Sequence, residues 1–193
     1  MEYYNKRYLK IAKIFKNRKK VLDIGCGSGP FLKACETLKI EANGIDISSE
    51  KVEICKSYGY NVERKSALEL DFKENSFDGV FCGHIVEHFH PNEFQKLIQG
   101  IYNILSTNGL LVILTPNPKN PFIMRDSFWN DWTHVKPYSH EAITSLLKIE
   151  KFIELKKEIL PTKKINPLFK LFFTLFFGKN YGDVLVIAKK LEK

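Results

Sequence analysis

The chain has 193 residues, 44% of them hydrophobic, and a formal net charge of +8. That length and apolar share suit one domain, expected over residues 1–193, and exclude a disordered or low-complexity chain. The charge favours anionic surroundings such as nucleic acid, anionic lipid or phosphorylated substrates, but the lysines behind it are scattered and select none of them.

In residues 3–17, Tyr4, Tyr8, Ile11 and Phe15 recur at spacings of three and four, which predicts an amphipathic helix within residues 1–18. It contains no continuous apolar run or cleavage signal of a secretory leader. No stretch of the chain approaches the roughly 20 apolar residues of a membrane-spanning helix. Cys26, Cys35, Cys55 and Cys82 form neither C-x-x-C nor a disulfide pattern, which fits reduced thiols and a cytoplasmic location.

The run "KKVLDIGCGSG" reads as a buried strand entering a tight turn. Helical spacing follows at Phe31, Leu32, Cys35 and Leu38. "IEANGIDIS" is a second strand ending at Asp46, with Ser48 or Ser49 capping a helix that stops at Gly59. "YNVERKS" and "SFDGVFCG" are the third and fourth strands. Pro91 opens the helix "PNEFQKLIQGIYNILS", "TNG" ends it, and "LLVILTP" is a strongly apolar fifth strand. "SHEAITSLLKIE" is a further helix capped by Ser139, and "KFIELKKEIL" and "GDVLVIAKK" are late strands flanking an apolar insertion at 161–181. Strands alternating with helices predict an α/β, doubly wound, mostly parallel sheet.

The first turn, Asp23-Ile24-Gly25-Cys26-Gly27-Ser28-Gly29, spells D-x-G-x-G-x-G. A dinucleotide fingerprint would place its third glycine where Pro30 stands, and the Walker lysine is missing. With Asp46 at the tip of the second strand, 17 residues after Gly29, the pattern resembles the first motif of the class I S-adenosylmethionine-dependent methyltransferases. Bare glycine backbone suits a methionine tail and a cationic sulfur, and Asp46 can accept both ribose hydroxyls. "NSFDGVFCGHIVEHFHP" resembles the family's fourth-strand segment, with Val86-Glu87-His88 in place of a Leu-Glu-His-like triplet. "LSTNGLLVILTPN" resembles the segment after it, and the likeness covers roughly residues 20–118.

The resemblance implies a Rossmann-like seven-stranded sheet with an antiparallel last strand, and S-adenosyl-L-methionine as cofactor. The cofactor contacts it implies are Asp23, Gly25, Cys26, Gly27, Gly29, Asp46, Ile47, Ser66, Ala67, Leu68, Cys82 and His84. Ser66 stands where the family often has an acid for the adenine amino group, and His84 falls near the expected methionine tail.

His84-x-x-Glu87-His88 also spells H-x-x-E-H, a zinc-protease spacing. Such enzymes hold it inside a long helix and add a third ligand downstream. Here a buried strand ends just before His84 and His90-Pro91 interrupts any helix two residues after His88, so no metal is expected.

Residues 117–138, rich in proline, asparagine and aromatics, are the expected substrate loop. Asp126, Asp131, His134, Tyr138 and His140 fall there or just beyond it, among Phe128, Trp129 and Trp132. His134 supported by Asp131 is the candidate general base. Alternatively the two only fix the loop and the aromatics form a small core. "DWTHVKPY" resembles a segment of methyltransferases that modify glycans or small molecules. Residues 166–177 are apolar on nearly every side and flanked by lysines, which suits a buried cap, a lid, a dimer contact or a peripheral membrane contact. The expected activity is O-methylation of a small-molecule, glycan or lipid-linked acceptor. The alternatives are a nucleic-acid methyltransferase, favoured by charge alone, and a non-catalytic S-adenosylmethionine-binding module.

Overall fold

Leu110, Leu111, Val112, Ile113 and Leu114 are all buried, so the strand that carries them needs cover on both faces. A computed structural model describes residues 2–161, 174–175 and 182–192, with the side chains of 2–5, 126 and 127 outside the description. In it that run lies within β5 (Leu105–Thr115). Side chains alternate between faces at a period of two. Leu111 and Ile113 join one core with Phe94, Leu97, Ile98 and Ile101 of α4 (Pro91–Ile104) and Ile143 and Leu147 of α5 (His140–Ile149). Leu110, Val112 and Leu114 join a second core with Tyr8 and Ile11 of α1 (Glu2–Ala12), Phe15, and Phe31 and Cys35 of α2 (Pro30–Thr37).

The remaining strands are β1 (Val21–Ile24), β2 (Ala42–Asp46), β3 (Val62–Arg64), β4 (Phe77–Gly83), β6 (Phe152–Pro161) and β7 (Gly182–Lys190). They form a seven-stranded sheet in the order β3-β2-β1-β4-β5-β7-β6. The strands from β3 to β5 pair in parallel, and β7 alone runs antiparallel to both its neighbours. This is the doubly wound sheet with an antiparallel last strand expected above. The chain runs outward through β1, β2 and β3, then crosses back to β4 on the other side of β1. Their carboxyl ends therefore flank the crevice where open α/β sheets bind ligands.

Local signals act where they were read. Ser48 Oγ accepts from Lys51 N at the start of α3 (Ser49–Ser57), and Ser139 Oγ accepts from Ala142 N at the start of α5. The first helix ends at Ala12, earlier than its apolar spacing suggests, and a 3-10 turn over Lys13–Phe15 keeps Phe15 buried. "TNG" was expected as the turn between α4 and the fifth strand. Instead β5 begins at Leu105, Asn108 takes a φ of 63°, and the β4–β5 register shifts between Phe77 and Gly79. The extra residues are absorbed as a bulge inside the strand. The apolar stretch 166–177 lies outside the described residues except for Thr174 and Leu175. Among the described residues no helix is long and apolar enough to cross a membrane.

Candidate active site

The turn after β1 is built from three positive-φ glycines: Gly25 at 72°, Gly27 at 52° and Gly29 at 81°. Gly25 N and Cys26 N both donate to Ile45 O, tying the turn to β2. A methyl group added at Gly25 would strike Ile85 at 2.6 Å, whereas one at Gly27 would meet no protein atom within 4 Å. Gly27 thus offers bare backbone to open space, as a nucleoside lying along the turn requires. Cys26 and Cys55 lie beneath, in a small core with Leu32, Val52 and Val62. Burial, then the charge of Asp23, pushes the Cys26 thiol up, so it stays a protonated filler.

Asp23 is buried and makes no side-chain hydrogen bond among the described residues. Burial, and after it the charge of Asp46, pushes its carboxyl well above the usual range. Folding therefore favours the protonated acid, so Asp23 lowers stability increasingly as pH rises from its ordinary value of about 3.9 through the raised one. Asp23→Asn is expected to melt several degrees higher than the parent at pH 7, with the gain shrinking toward pH 4. Thermal melts across that range check this, and an unchanged or lower midpoint at pH 7 would refute it.

Asp46 ends β2 with each carboxylate oxygen already engaged once. Oδ2 accepts from Gly27 N at 2.8 Å and Oδ1 from Ser48 N at 2.9 Å. Each oxygen keeps a lone pair for a further donor. Beyond it Ile47 is 70% exposed, an apolar side chain with nothing over it. It borders an open cleft of about 360 Å³ shared with Arg64, Lys65, Ser66, Glu69 and Asp71. Ser66 Oγ accepts from Leu68 N, and Ala67 and Leu68 pack against the larger core.

At the end of β4 the cofactor-side positions diverge. Cys82 is wholly buried in the apolar core, beside Ile24 and Ile113 in register, so its thiol is no part of the cleft wall. His84 turns out of the sheet in a left-handed conformation, φ 53°, with its side chain 31% exposed. Its Nε2 lies 3.2 Å from Asp183 and its Nδ1 3.3 Å from Glu87. Burial pulls the imidazole pKa down, but pairing with Asp183 and Glu87 outweighs that and holds it at about 9. Asp183 also pairs with Arg7 of α1, and the wholly buried Glu87 accepts through Oε2 from Thr115 Oγ1 at 3.0 Å. Arg7, Thr115 and Asp183 escaped the reading of the sequence. The available signal was Asp183 itself, a lone acid just ahead of the apolar run Val184 to Ala188.

The loop splits the group of titratable residues expected there. His140 is drawn to Glu154 at 2.7 Å, and the Tyr138 hydroxyl donates to Phe89 O inside the core. The side chain of Asp126 lies outside the description. Among the aromatics only Phe128 is buried. Trp132 is 92% exposed and Trp129 is also exposed, so they form no small core.

His134 and His88 remain, with ring centroids 4.8 Å apart. The Glu87 carbonyl, accepting from Val135 N and Lys136 N, ties the loop to the end of β4. His134 was expected to lean on Asp131, but its Nε2 is 3.8 Å from that carboxylate. Its Nδ1 instead faces Phe128 O at 2.7 Å. A carbonyl only accepts, so Nδ1 carries a proton, and in the neutral ring Nε2 is the nitrogen with the lone pair. Asp131 is engaged by Thr133, whose hydroxyl and N–H hold its carboxyl below the usual range. Because that hydroxyl gives its proton to Asp131, its oxygen must accept from His88 Nδ1 at 2.9 Å. In the neutral ring His88 therefore also presents Nε2 as the nitrogen with the lone pair.

A family model described as a methyltransferase domain matches residues 1–151. A solved S-adenosylmethionine-dependent methyltransferase from Archaeoglobus fulgidus superposes with a TM-score of 0.83 at 28% identity, over 98% of this chain and 94% of its own. The uncharacterized methyltransferase YcgJ of Bacillus subtilis is 28% identical over 135 residues, 66% of this chain and 52% of its own. The ubiquinone biosynthesis O-methyltransferase of Pelagibacter ubique is 32% identical over 130 residues, 58% of this chain and 52% of its own. The chain spans about half the length of these last two relatives.

Proposed function

The chain belongs to the methyltransferase domain family and uses S-adenosylmethionine, and from that premise we propose that it methylates an oxygen of a small-molecule, glycan or lipid-linked acceptor. When bound, the cofactor supplies an electrophilic methyl group on a sulfonium. On its side of the crevice, Asp46 uses its remaining lone pairs on the ribose hydroxyls, and Gly27 leaves room for the nucleoside. Ile47 and Leu68 would wall the adenine. The His84 imidazolium, held by Asp183 and Glu87, would pair with the carboxylate of the methionine tail.

The oxygen acceptor rests on one observation, the contact of His134 Nδ1 with Phe128 O at 2.7 Å, which in the neutral ring leaves Nε2 as the basic nitrogen. A hydroxyl must lose a proton as it attacks, whereas a neutral amine attacks with the lone pair it has. His134 Nε2 would take the proton that the acceptor hydroxyl loses as it attacks the methyl group. Asp131 acts at one remove, by holding Thr133 and with it the loop. The similarity to an enzyme named as an O-methyltransferase supports the same reading.

His134→Gln is expected to slow turnover of the hydroxyl acceptor by about 10²–10⁴-fold. The dissociation constant for S-adenosylmethionine stays unchanged. Release of S-adenosylhomocysteine from panels of phenols, sugars and amines measures the first effect and calorimetry the second. Turnover confined to amines, or untouched by the substitution, would overturn the proposal.

A further inference from the structure

We propose that Glu87, His88 and His134 form a binding site for one first-row divalent cation of the Zn²⁺ kind. In the sequence the H-x-x-E-H spacing lies between a buried strand and His90-Pro91 rather than inside a long helix, which argues against a metal. The fold supplies a third ligand from elsewhere. The loop after β5 brings His134 back over the end of β4, where one ligand atom from each of the three residues lies within 4.8 Å of the others. The set is not the pair of histidines four apart that the spacing suggests. It is one of them, the glutamate between, and a histidine 46 positions further on.

Three features make this more than proximity. First, both imidazoles are held through Nδ1: His88 by the Thr133 hydroxyl and carbonyl, His134 by Phe128 O. Metal-bound histidines are oriented in this way, with the far nitrogen left as the ligand. Second, Glu87 is wholly buried and its Oε1 receives no hydrogen bond. His84 Nδ1 stands 3.3 Å away. Among the described residues His84 is the one cation beside this buried oxygen, and a metal ion would share the carboxylate with it. Third, two nitrogens and one carboxylate match zinc sites that keep an open position. Bond lengths of about 2.0–2.2 Å place tetrahedral ligand atoms about 3.4 Å apart. The site therefore has to close by at most about 1.5 Å to hold the ion.

A hydroxyl bound at the open position of such an ion would lose its proton more readily. In the metal-free protein the lone pair of His134 takes the proton directly. In the loaded protein it is a ligand, and the proton leaves to solvent. Only this role rests on the function proposed above. The existence of the site does not.

The test uses the whole chain, stripped with a chelator and titrated with Co²⁺. One equivalent is expected to bind with visible d–d absorption that Zn²⁺ abolishes. His88→Gln and His134→Gln should each remove that signal, and Glu87→Gln should weaken binding at least about tenfold. Because Glu87 is buried, circular dichroism must first establish that its variant folds; the two histidine variants carry the test if it does not. Absence of a stoichiometric signal, or a signal that survives in His88→Gln, overturns the site. So do thiolate charge-transfer bands, which would place the ion on cysteine. His88 separates the two readings, since direct proton transfer to His134 gives it nothing to do. If wild-type protein binds no Co²⁺ while His134→Gln still loses turnover, the cation site falls and the base stands.

Discussion

Replacing Asp46 by alanine is expected to weaken S-adenosylmethionine binding by about 10²-fold or more. The carboxylate has two tasks. It accepts from Gly27 N and Ser48 N, which fixes the glycine turn against the end of β2. In the proposed complex it also accepts from both ribose hydroxyls. Hydrogen bonds to a charged acceptor contribute about 1.5–3 kcal/mol each. Two of them give at least about 3 kcal/mol, and each 1.4 kcal/mol is a factor of ten in affinity. Loss of the anchor at Gly27 N adds to this by letting the turn relax. Asp46→Asn keeps one carbonyl acceptor and should fall between the parent and the alanine variant. Titration calorimetry measures all three, and an unchanged dissociation constant in Asp46→Ala would mean that the sugar is held elsewhere.

Gly27→Ala is expected to lose cofactor binding by a comparable factor, for a different reason. The added methyl group meets no protein atom within 4 Å, so the fold has room for it. Its cost to the folded chain is mainly the left-handed backbone at φ 52°, about 1–2 kcal/mol for a residue with a Cβ. The space it enters is that left for the nucleoside. Stability and affinity should therefore separate: a melting point a few degrees lower, with binding lost by tenfold or much more. A variant that binds as tightly as the parent would place the cofactor off this turn. A variant that fails to fold would mean that the turn is packed more closely than its open side suggests.

Both expected losses of cofactor binding thus fall on residues that the sequence alone singled out, and the reason is physical. The glycine turn is local, since three left-handed positions within five residues demand glycine wherever the chain sits in space. Asp46 follows after one helix and one strand, and the parallel pairing of β1 with β2 brings the two strand ends together. Apolar runs marked the buried strands for the same reason, because a strand covered on both faces must be apolar throughout. The position of "TNG" was misjudged, since a bulge depends on what lies opposite in β4.

Contacts between distant segments were not legible. Arg7 and Asp183 stand 176 residues apart. They meet because β7 runs antiparallel to β5, which places the beginning of the last strand beside the carboxyl end of the fifth, with Thr115 opposite Val184. That one reversal supplies His84 with its carboxylate partner. His140, read as a member of the acceptor group, goes instead to Glu154, because α5 packs on β6. His134 faces a carbonyl rather than Asp131 because the loop folds back on itself between Phe128 and His134.

The sequence by itself determined the sheet, the bare turn after β1 and the acid at the end of β2, all of which follow from backbone sterics and apolar periodicity within short windows. Only the tertiary structure decided which titratable side chains meet and what holds each imidazole. Such pairings depend on strand order and direction, which no local window contains.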